Sequence, residues 1–275
     1  MPGALGGVRI AFVGGGVMAE AIIRGLMGRE LVDPEQIVVS EPVEARRIAL
    51  GEALALCMVA SNAEAVQNAD LIVFAIKPQV LDTVLAGLRE QVLADALVLS
   101  IVAGAPMARF VEALGTAAVV RVMPNTPAQI GQGASLWTAT PETSEAQRAQ
   151  AGELVAALGV GVYSDTEGHV DMATALSGSG PAYLFLFIEA LTDAGVQMGL
   201  ARDVSATLAS QTVLGSAVYA QESGEHPAIL RNRVTSPGGT TAAALHELER
   251  GGFRALIAQA VIAAYQRALD LGDVT

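Results

Sequence analysis

Two runs of hydroxyl and glycine residues carry side chains and backbone suited to holding a small anion. They are Thr174-Ala-Leu-Ser-Gly-Ser-Gly-Pro-Ala-Tyr183 and Val234-Thr-Ser-Pro-Gly-Gly-Thr-Thr241. Each opens into an apolar helical pattern. A helix start presents unpaired N–H groups and the positive end of a dipole, so it suits a bound anion. Glycine lets the backbone approach a small ligand, and Ser or Thr hydroxyls orient it. Taken singly, either run reads as an ordinary capped helix start. Taken together with a glycine turn near the start of the chain, they point to a small-anion site facing a cofactor.

That turn is Gly14-Gly15-Gly16-Val17-Met18-Ala19. An apolar stretch over 8–13 runs straight into it, and helical periodicity follows over 20–27. This is the strand–G-x-G-x-x-A–helix arrangement of a dinucleotide fold. Gly14 allows the tight turn, Gly16 lets the backbone approach a pyrophosphate, and Ala19 keeps helix and strand close. Further strands are expected at 37–40, 70–76, 96–102 and 118–123. Helical segments fall between them at about 42–55, 63–68, 78–92 and 106–114. Such alternation implies a parallel sheet with helices on both faces. The stretches 133–139 and 160–163 read as later edge strands, separated by a helix over 144–158.

The tip of the second strand usually chooses the cofactor. Here it is Ser40-Glu41-Pro42, followed by Arg46 and Arg47. A carboxylate there would bond the ribose hydroxyls of NAD and repel the extra phosphate of NADP. Ser40 with a nearby arginine would do the reverse, and a solvated helix face is the plain reading of the two arginines. The residues leave the choice open. Lys77 is the only lysine among 16 basic residues. It sits in Ala75-Ile-Lys-Pro-Gln79, at the carboxyl end of a buried strand, where ligands of open parallel sheets bind. Lys77 would help fix the nicotinamide half or the phosphates; otherwise it is a solvated strand-end lysine. Met123-Pro-Asn-Thr-Pro-Ala128 closes another strand end with a proline-stiffened loop. Asn62 lies in a loop from which its amide could reach the adenosine side, or serve as a turn residue or cap.

From about residue 167 strand signals nearly vanish. Helical patterns follow over 168–199, 203–222, 225–232 and 240–271, apolar on more than one face, as expected of helices packed between subunits. The chain therefore reads as an α/β dinucleotide-binding domain with a mostly parallel sheet over 1–165 and an all-helical domain over 166–275. The net charge of −12 argues against nucleic acid and anionic membrane surfaces. The single cysteine, Cys57, excludes an intrachain disulfide and a Cys-rich zinc site, and three scattered histidines show no metal-ligand spacing. The apolar run over 96–105 is too short to span a bilayer. No basic residue precedes the first apolar segment, which reads as a strand and not as a leader. The expectation is a cytoplasmic protein, and a mean hydropathy of +0.47 suggests surface hidden in an oligomer.

Taken together, the segments 12–19, 75–79, 121–128, 175–183 and 227–241 resemble those of the pyrroline-5-carboxylate reductase family, in the family's order and over nearly the whole chain. The resemblance implies a Rossmann domain followed by an all-helical domain that makes an interlocked dimer, often assembled further into a decamer. It implies reduction of pyrroline-5-carboxylate to proline by NADP(H) or NAD(H), without a metal. The cofactor would touch Val13, Gly14, Gly15, Gly16, Val17, Met18, Ser40, Asn62, Ala75, Ile76, Lys77, Pro78, Ala103 and Gly104. Substrate carboxylate would be held by Ser236 and the backbone N–H groups of Gly239 and Thr240, and Thr241 would hydrogen-bond the ring nitrogen. Ser177 and the loop to Pro181 would shape the floor beside the nicotinamide. Glu41 departs from the family, which commonly has a neutral residue there. Hydride transfer to a C=N bond needs no metal or covalent nucleophile. Positioning alone supplies roughly 7–11 kcal/mol in well-aligned cases.

Two other readings compete. A β-hydroxyacid dehydrogenase would use a lysine in its helical domain, and this chain has none after Lys77. A non-catalytic NAD(P)-sensing regulator would not need the hydroxyl-rich loop at 235–241. Reduction of a six-membered cyclic imine stays open, because ring size is not written in the sequence.

Overall fold

A computed structural model describes residues 3–273 of the chain; the first two and last two residues of the expected domains lie outside them. The described residues form two compact units. One runs up to Ser179 and includes the residues from Ala264 onward; the other is Gly180–Ala263.

Among the described residues of the first unit, eight strands form one sheet in the order β3-β2-β1-β4-β5-β6-β7-β8. The strands are β1 (Ile10–Val13), β2 (Ile37–Ser40), β3 (Cys57–Val59), β4 (Leu71–Phe74), β5 (Leu97–Ser100), β6 (Val119–Met123), β7 (Gly133–Ala139) and β8 (Gly159–Tyr163). All neighbours pair parallel except β6 and β7. The helices between them are α1 (Val17–Gly28), α2 (Glu44–Leu54), α3 (Asn62–Val66), α4 (Leu81–Leu88), α5 (Met107–Leu114) and α6 (Glu145–Ala157), followed by α7 (Gly168–Ala173). Sequences such as Ile10–Val13 and Leu71–Phe74 are buried at every position, as strands covered on both faces must be. One apolar cluster, with Phe12, Ile22 and Leu154, lies on one face of the sheet. A second, with Phe74, Leu85 and Phe110, lies on the other.

The α1 helix buries Ala19, Ile22, Ile23 and Leu26, a stripe at helical spacing. A Cβ at Gly25 would stand 2.7 Å from the Ala157 carbonyl, so this glycine lets α1 close on the end of α6. From β1 the chain moves outward to β2 and β3, then returns to β4 on the other side of β1. That reversal opens a crevice at the carboxyl ends of β1 and β4, the usual ligand position of such sheets.

The second unit is helical. It holds α8 (Gly180–Gln197), α9 (Arg202–Ser223), α10 (Pro227–Arg233), α11 (Thr240–Arg250) and most of α12 (Phe253–Asp273). Few of its side chains are buried, and Phe185, Leu186, Leu208, Leu214, Leu256 and Ile262 are each more than half exposed. The chain is thus a Rossmann-type α/β domain followed by an all-helical domain.

Several local expectations need correction. The strand β3 was not anticipated, and β7 lies inside the sheet, not at its edge. The helix expected over 168–199 is interrupted by a π-turn at Thr174–Gly178. There Thr174, Ser177 and Ser179 direct their hydroxyls to the carbonyls of Val170, Ala173 and Thr174, which competes with the regular ladder. The helix expected over 240–271 ends at Arg250 and restarts at Phe253, with Gly252 at φ +73°. The segment expected over 78–92 begins as a 3-10 turn at Pro78–Val80 and its helix ends at Leu88. Asn62 is the first residue of α3 instead of a loop residue.

Candidate active site

Strand register brings the cofactor-side residues to one level. Val13 pairs with Ser40 and with Phe74, and Phe74 pairs with Ser100. Gly14, Glu41, Ala75 and Ile101 therefore leave the carboxyl ends of four adjacent strands together. Gly14 turns the chain at φ +98°, and its N–H donates to the Ser40 carbonyl at 3.0 Å. A Cβ on Gly14 would lie 2.7 Å from the Ala75 carbonyl, so only glycine makes this turn beside β4. Gly16 caps α1 in extended conformation with no side chain bonded to the helix N-terminus. Gly16 and Val17 are exposed and Met18 is half-buried. The geometry fits a dinucleotide: an uncapped helix start offers N–H groups to a pyrophosphate that a longer side chain would block.

Around this turn the charged side chains are engaged. The Glu41 carboxylate accepts the Gly15 N–H at 3.1 Å and the Val43 N–H at 3.0 Å. Arg46 donates Nε to the Gly15 carbonyl at 2.7 Å and Nη2 to Glu20 at 2.8 Å. Arg47 donates to the Glu41 and Pro42 carbonyls. Neither arginine is simply a solvated helix face. The hydrogen bond from Arg46, joined by one from Arg24, holds the Glu20 carboxyl below the usual carboxylate range. Ser40 is fully buried; its hydroxyl donates to Asn62 Oδ1 at 2.7 Å and lies 3.3 Å from the Phe12 carbonyl.

At β4, Ala75, Ile76 and Pro78 are half-buried and Lys77 is exposed. Gly104 turns at φ +70°, and a Cβ there would meet Leu271 and Gly272 at about 3 Å. Its bare Cα thus makes room for the end of α12, while Ala103 remains half-buried.

Two features of this unit escaped the sequence reading. Arg121, in the middle of β6, has a side chain only 3 % exposed. It meets Asp171 at 2.5 Å and Glu167 at 3.4 Å, and Glu167 also accepts the Met107 N–H at the start of α5. The signal was a lone arginine in an otherwise apolar strand, Val119–Met123. The second feature is Asn125. Its Nδ2 donates to the Ser177 carbonyl at 3.1 Å and its Oδ1 accepts the Ala134 N–H at 2.9 Å. Ser177 lies in the π-turn and donates its hydroxyl to Ala173.

In the second unit, Gly239 caps α11 in extended conformation with no side-chain bond. Gly238 turns at φ +69°, and the Gly239 N–H donates to the Ser236 carbonyl at 3.1 Å. The Ser236 hydroxyl stands so close to Gly239 that a Cβ would collide with it. Ser236 and Thr240 are exposed and Thr241 is half-buried. One hydroxyl and an uncapped helix start thus share one loop, a combination suited to a carboxylate. Among the described residues, no group of three or more His, Cys, Asp or Glu is placed to hold a metal ion.

A glycine turn at the switch point of a mostly parallel sheet, with an all-helical domain after it, defines a Rossmann-type dinucleotide-binding protein. Comparison with known proteins narrows the class. Residues 167–271 match the family described as pyrroline-5-carboxylate reductase dimerisation, and residues 9–104 match NADP oxidoreductase, coenzyme F420-dependent. The chain is 45% identical over 266 residues to a pyrroline-5-carboxylate reductase of Pseudomonas aeruginosa, covering 96% of this chain and 97% of that one. It is 39% identical to the Arabidopsis thaliana reductase, covering 96% of each. Among solved structures, the Coxiella burnetii reductase superposes with TM-score 0.88 at 36% identity, covering 96% of this chain and 98% of that one. The Plasmodium falciparum enzyme, with NADP bound, gives 0.87 at 31%, covering 97% and 98%. The chain belongs to the pyrroline-5-carboxylate reductase family.

Proposed function

We propose that this chain reduces L-1-pyrroline-5-carboxylate to L-proline with hydride from NAD(P)H, the last step of proline biosynthesis. The observation that carries this is near-full-length identity of 45% to a reductase of that name. The nicotinamide supplies the hydride when bound. The Gly14–Met18 turn and the segments at Ser40, Asn62, Ala75–Pro78 and Ala103-Gly104 bind and orient the cofactor. Ser236 and the N–H groups of Gly239 and Thr240 hold the substrate carboxylate. The Thr241 hydroxyl accepts the proton-bearing ring nitrogen, which keeps the C=N bond electrophilic, and Ser177 forms part of the floor. The ring carbon takes the hydride and nitrogen keeps its proton, so no metal or covalent nucleophile enters.

We further assign residues 1–165 to cofactor binding and 166–275 to substrate binding and dimerisation. The many exposed apolar side chains of α8, α9 and α12 support a homodimer, with dimers assembled to a decamer. The compartment is the cytoplasm, with neither nucleic acid nor membrane as partner. Among the described residues no helix is long and apolar enough to cross a membrane.

The test is the initial rate of absorbance loss at the nicotinamide band with purified protein and racemic pyrroline-5-carboxylate. Rapid oxidation with proline as product is the expected result. Protein that binds NAD(P)H yet oxidises none of it would turn attention to other imines or to a regulatory role.

A further inference from the structure

We infer that Glu41 makes this chain prefer NADH over NADPH. The inference rests on the dinucleotide reading of the Gly14–Met18 turn and goes beyond it by assigning the cofactor choice to one side chain. Three observations carry it. First, Glu41 follows the last residue of β2, level with Gly14 through the pairing of Val13 with Ser40. Its carboxylate is fixed by two backbone N–H groups, from Gly15 at 3.1 Å and Val43 at 3.0 Å. A carboxylate held this way accepts hydroxyl donors, which is what an adenosine ribose with free hydroxyls offers.

Second, the neutral alternative at this tip is withdrawn. Ser40 is fully buried and its hydroxyl donates to Asn62, so it offers nothing to a phosphate outside the sheet. Third, the basic residues nearby are already spent. Arg46 is tied to the Gly15 carbonyl and to Glu20, and Arg47 to the carbonyls of Glu41 and Pro42. A 2′-phosphate would meet a fixed negative charge while the nearby guanidinium groups are engaged by backbone carbonyls and Glu20. Like charges at such a range cost enough to shift binding at least about tenfold.

The experiment is equilibrium binding of NADH and NADPH to the whole protein by isothermal titration calorimetry, for wild type, Glu41→Gln and Glu41→Ala, with thermal unfolding to confirm folded variants. Wild type is expected to bind NADH at least about tenfold tighter than NADPH. Glu41→Gln keeps the size and an oxygen for the Gly15 N–H but removes the charge. It is expected to shrink the NADH:NADPH ratio about tenfold, mainly by tightening NADPH. A role confined to bracing the glycine turn would weaken both cofactors equally, and so would overturn the inference. Equal or reversed preference in wild type, a ratio unmoved in both variants, or no binding of either cofactor would overturn it as well. Charge-dependent NADH preference in a protein that reduces no pyrroline carboxylate would leave this inference standing and remove the substrate assignment alone.

Discussion

Asn125 clamps the carbonyl of Ser177, fifty-two positions further along the chain, through a 3.1 Å bond from Nδ2. The same side chain accepts the Ala134 N–H, so one amide ties the loop after β6 both to the start of β7 and to the π-turn at Thr174–Gly178. A π-turn leaves carbonyls without their usual partners, and Asn125 supplies one. Asn125→Ala removes a donor and an acceptor from part-buried groups and is expected to cost about 1–3 kcal/mol in urea unfolding, with a lower kcat. Asn125→Asp keeps the Ala134 bond but sets an oxygen against the Ser177 carbonyl. It should lower kcat at least as much as alanine does. Full turnover in both variants would show that the π-turn holds without Asn125.

Arg121 makes a stronger demand. Two carboxylates, Asp171 and Glu167, converge on a guanidinium that is 3 % exposed. Arg121→Met leaves both acids without their cation and is expected to destabilise by about 3–5 kcal/mol. Removing the acids as well, with Asp171→Leu and Glu167→Gln, should recover most of that loss, because a buried ion pair and its apolar replacement are close in energy. Glutamine at 167 still accepts from Met107. A cost under about 1 kcal/mol for Arg121→Met alone would show that the cluster is not what holds α7 to β6.

The parts of the molecule readable from sequence are those whose chemistry is local. Gly14 must be glycine because one residue turns at φ +98° against Ala75, and a Gly-x-Gly-x-x-Ala run says so directly. Strands such as Leu71–Phe74 are unbroken apolar runs. What stayed hidden depends on distant partners. Cys57–Val59 is three residues long, and only its pairing with β2 makes it a strand. The pairing of Arg121 with Asp171 spans 50 positions. Glycines 251 and 252 did mark the end of α11, but the apolar pattern on either side masked them. At the β2 tip, Ser40 and Glu41 competed for one role. Strand alternation decides between them by turning Ser40 inward to Asn62 and leaving Glu41 at the glycine turn.

Acid should loosen the link between α1 and α2. Glu20 bridges Arg46 and Arg24, and these bonds lower its carboxyl from the ordinary value. A depressed folded value means the contribution is complete above the unfolded value and is lost as pH falls through the folded one. The stability gap between wild type and Glu20→Gln is therefore expected to be about 0.5–1 kcal/mol near neutrality and to close as pH falls below the ordinary carboxylate range. Urea midpoints across that range measure it. A gap that widens in acid would contradict the assigned sign.

Thr241 tests the chemistry itself. It is the second residue of α11, half-buried, beside the loop that holds Ser236 against Gly239. Its hydroxyl has no hydrogen-bond partner among the described residues, so folding gains little from it. Thr241→Ala should leave the thermal midpoint within about 2 °C of wild type. If the hydroxyl accepts the ring nitrogen of the substrate, its loss should cost about 1–3 kcal/mol in the barrier, or roughly 5- to 150-fold in kcat/KM. Thr241→Ser keeps the oxygen and should recover most of the rate. Unchanged kinetics in the alanine variant would take Thr241 out of the mechanism and leave the ring N–H to another acceptor or to solvent.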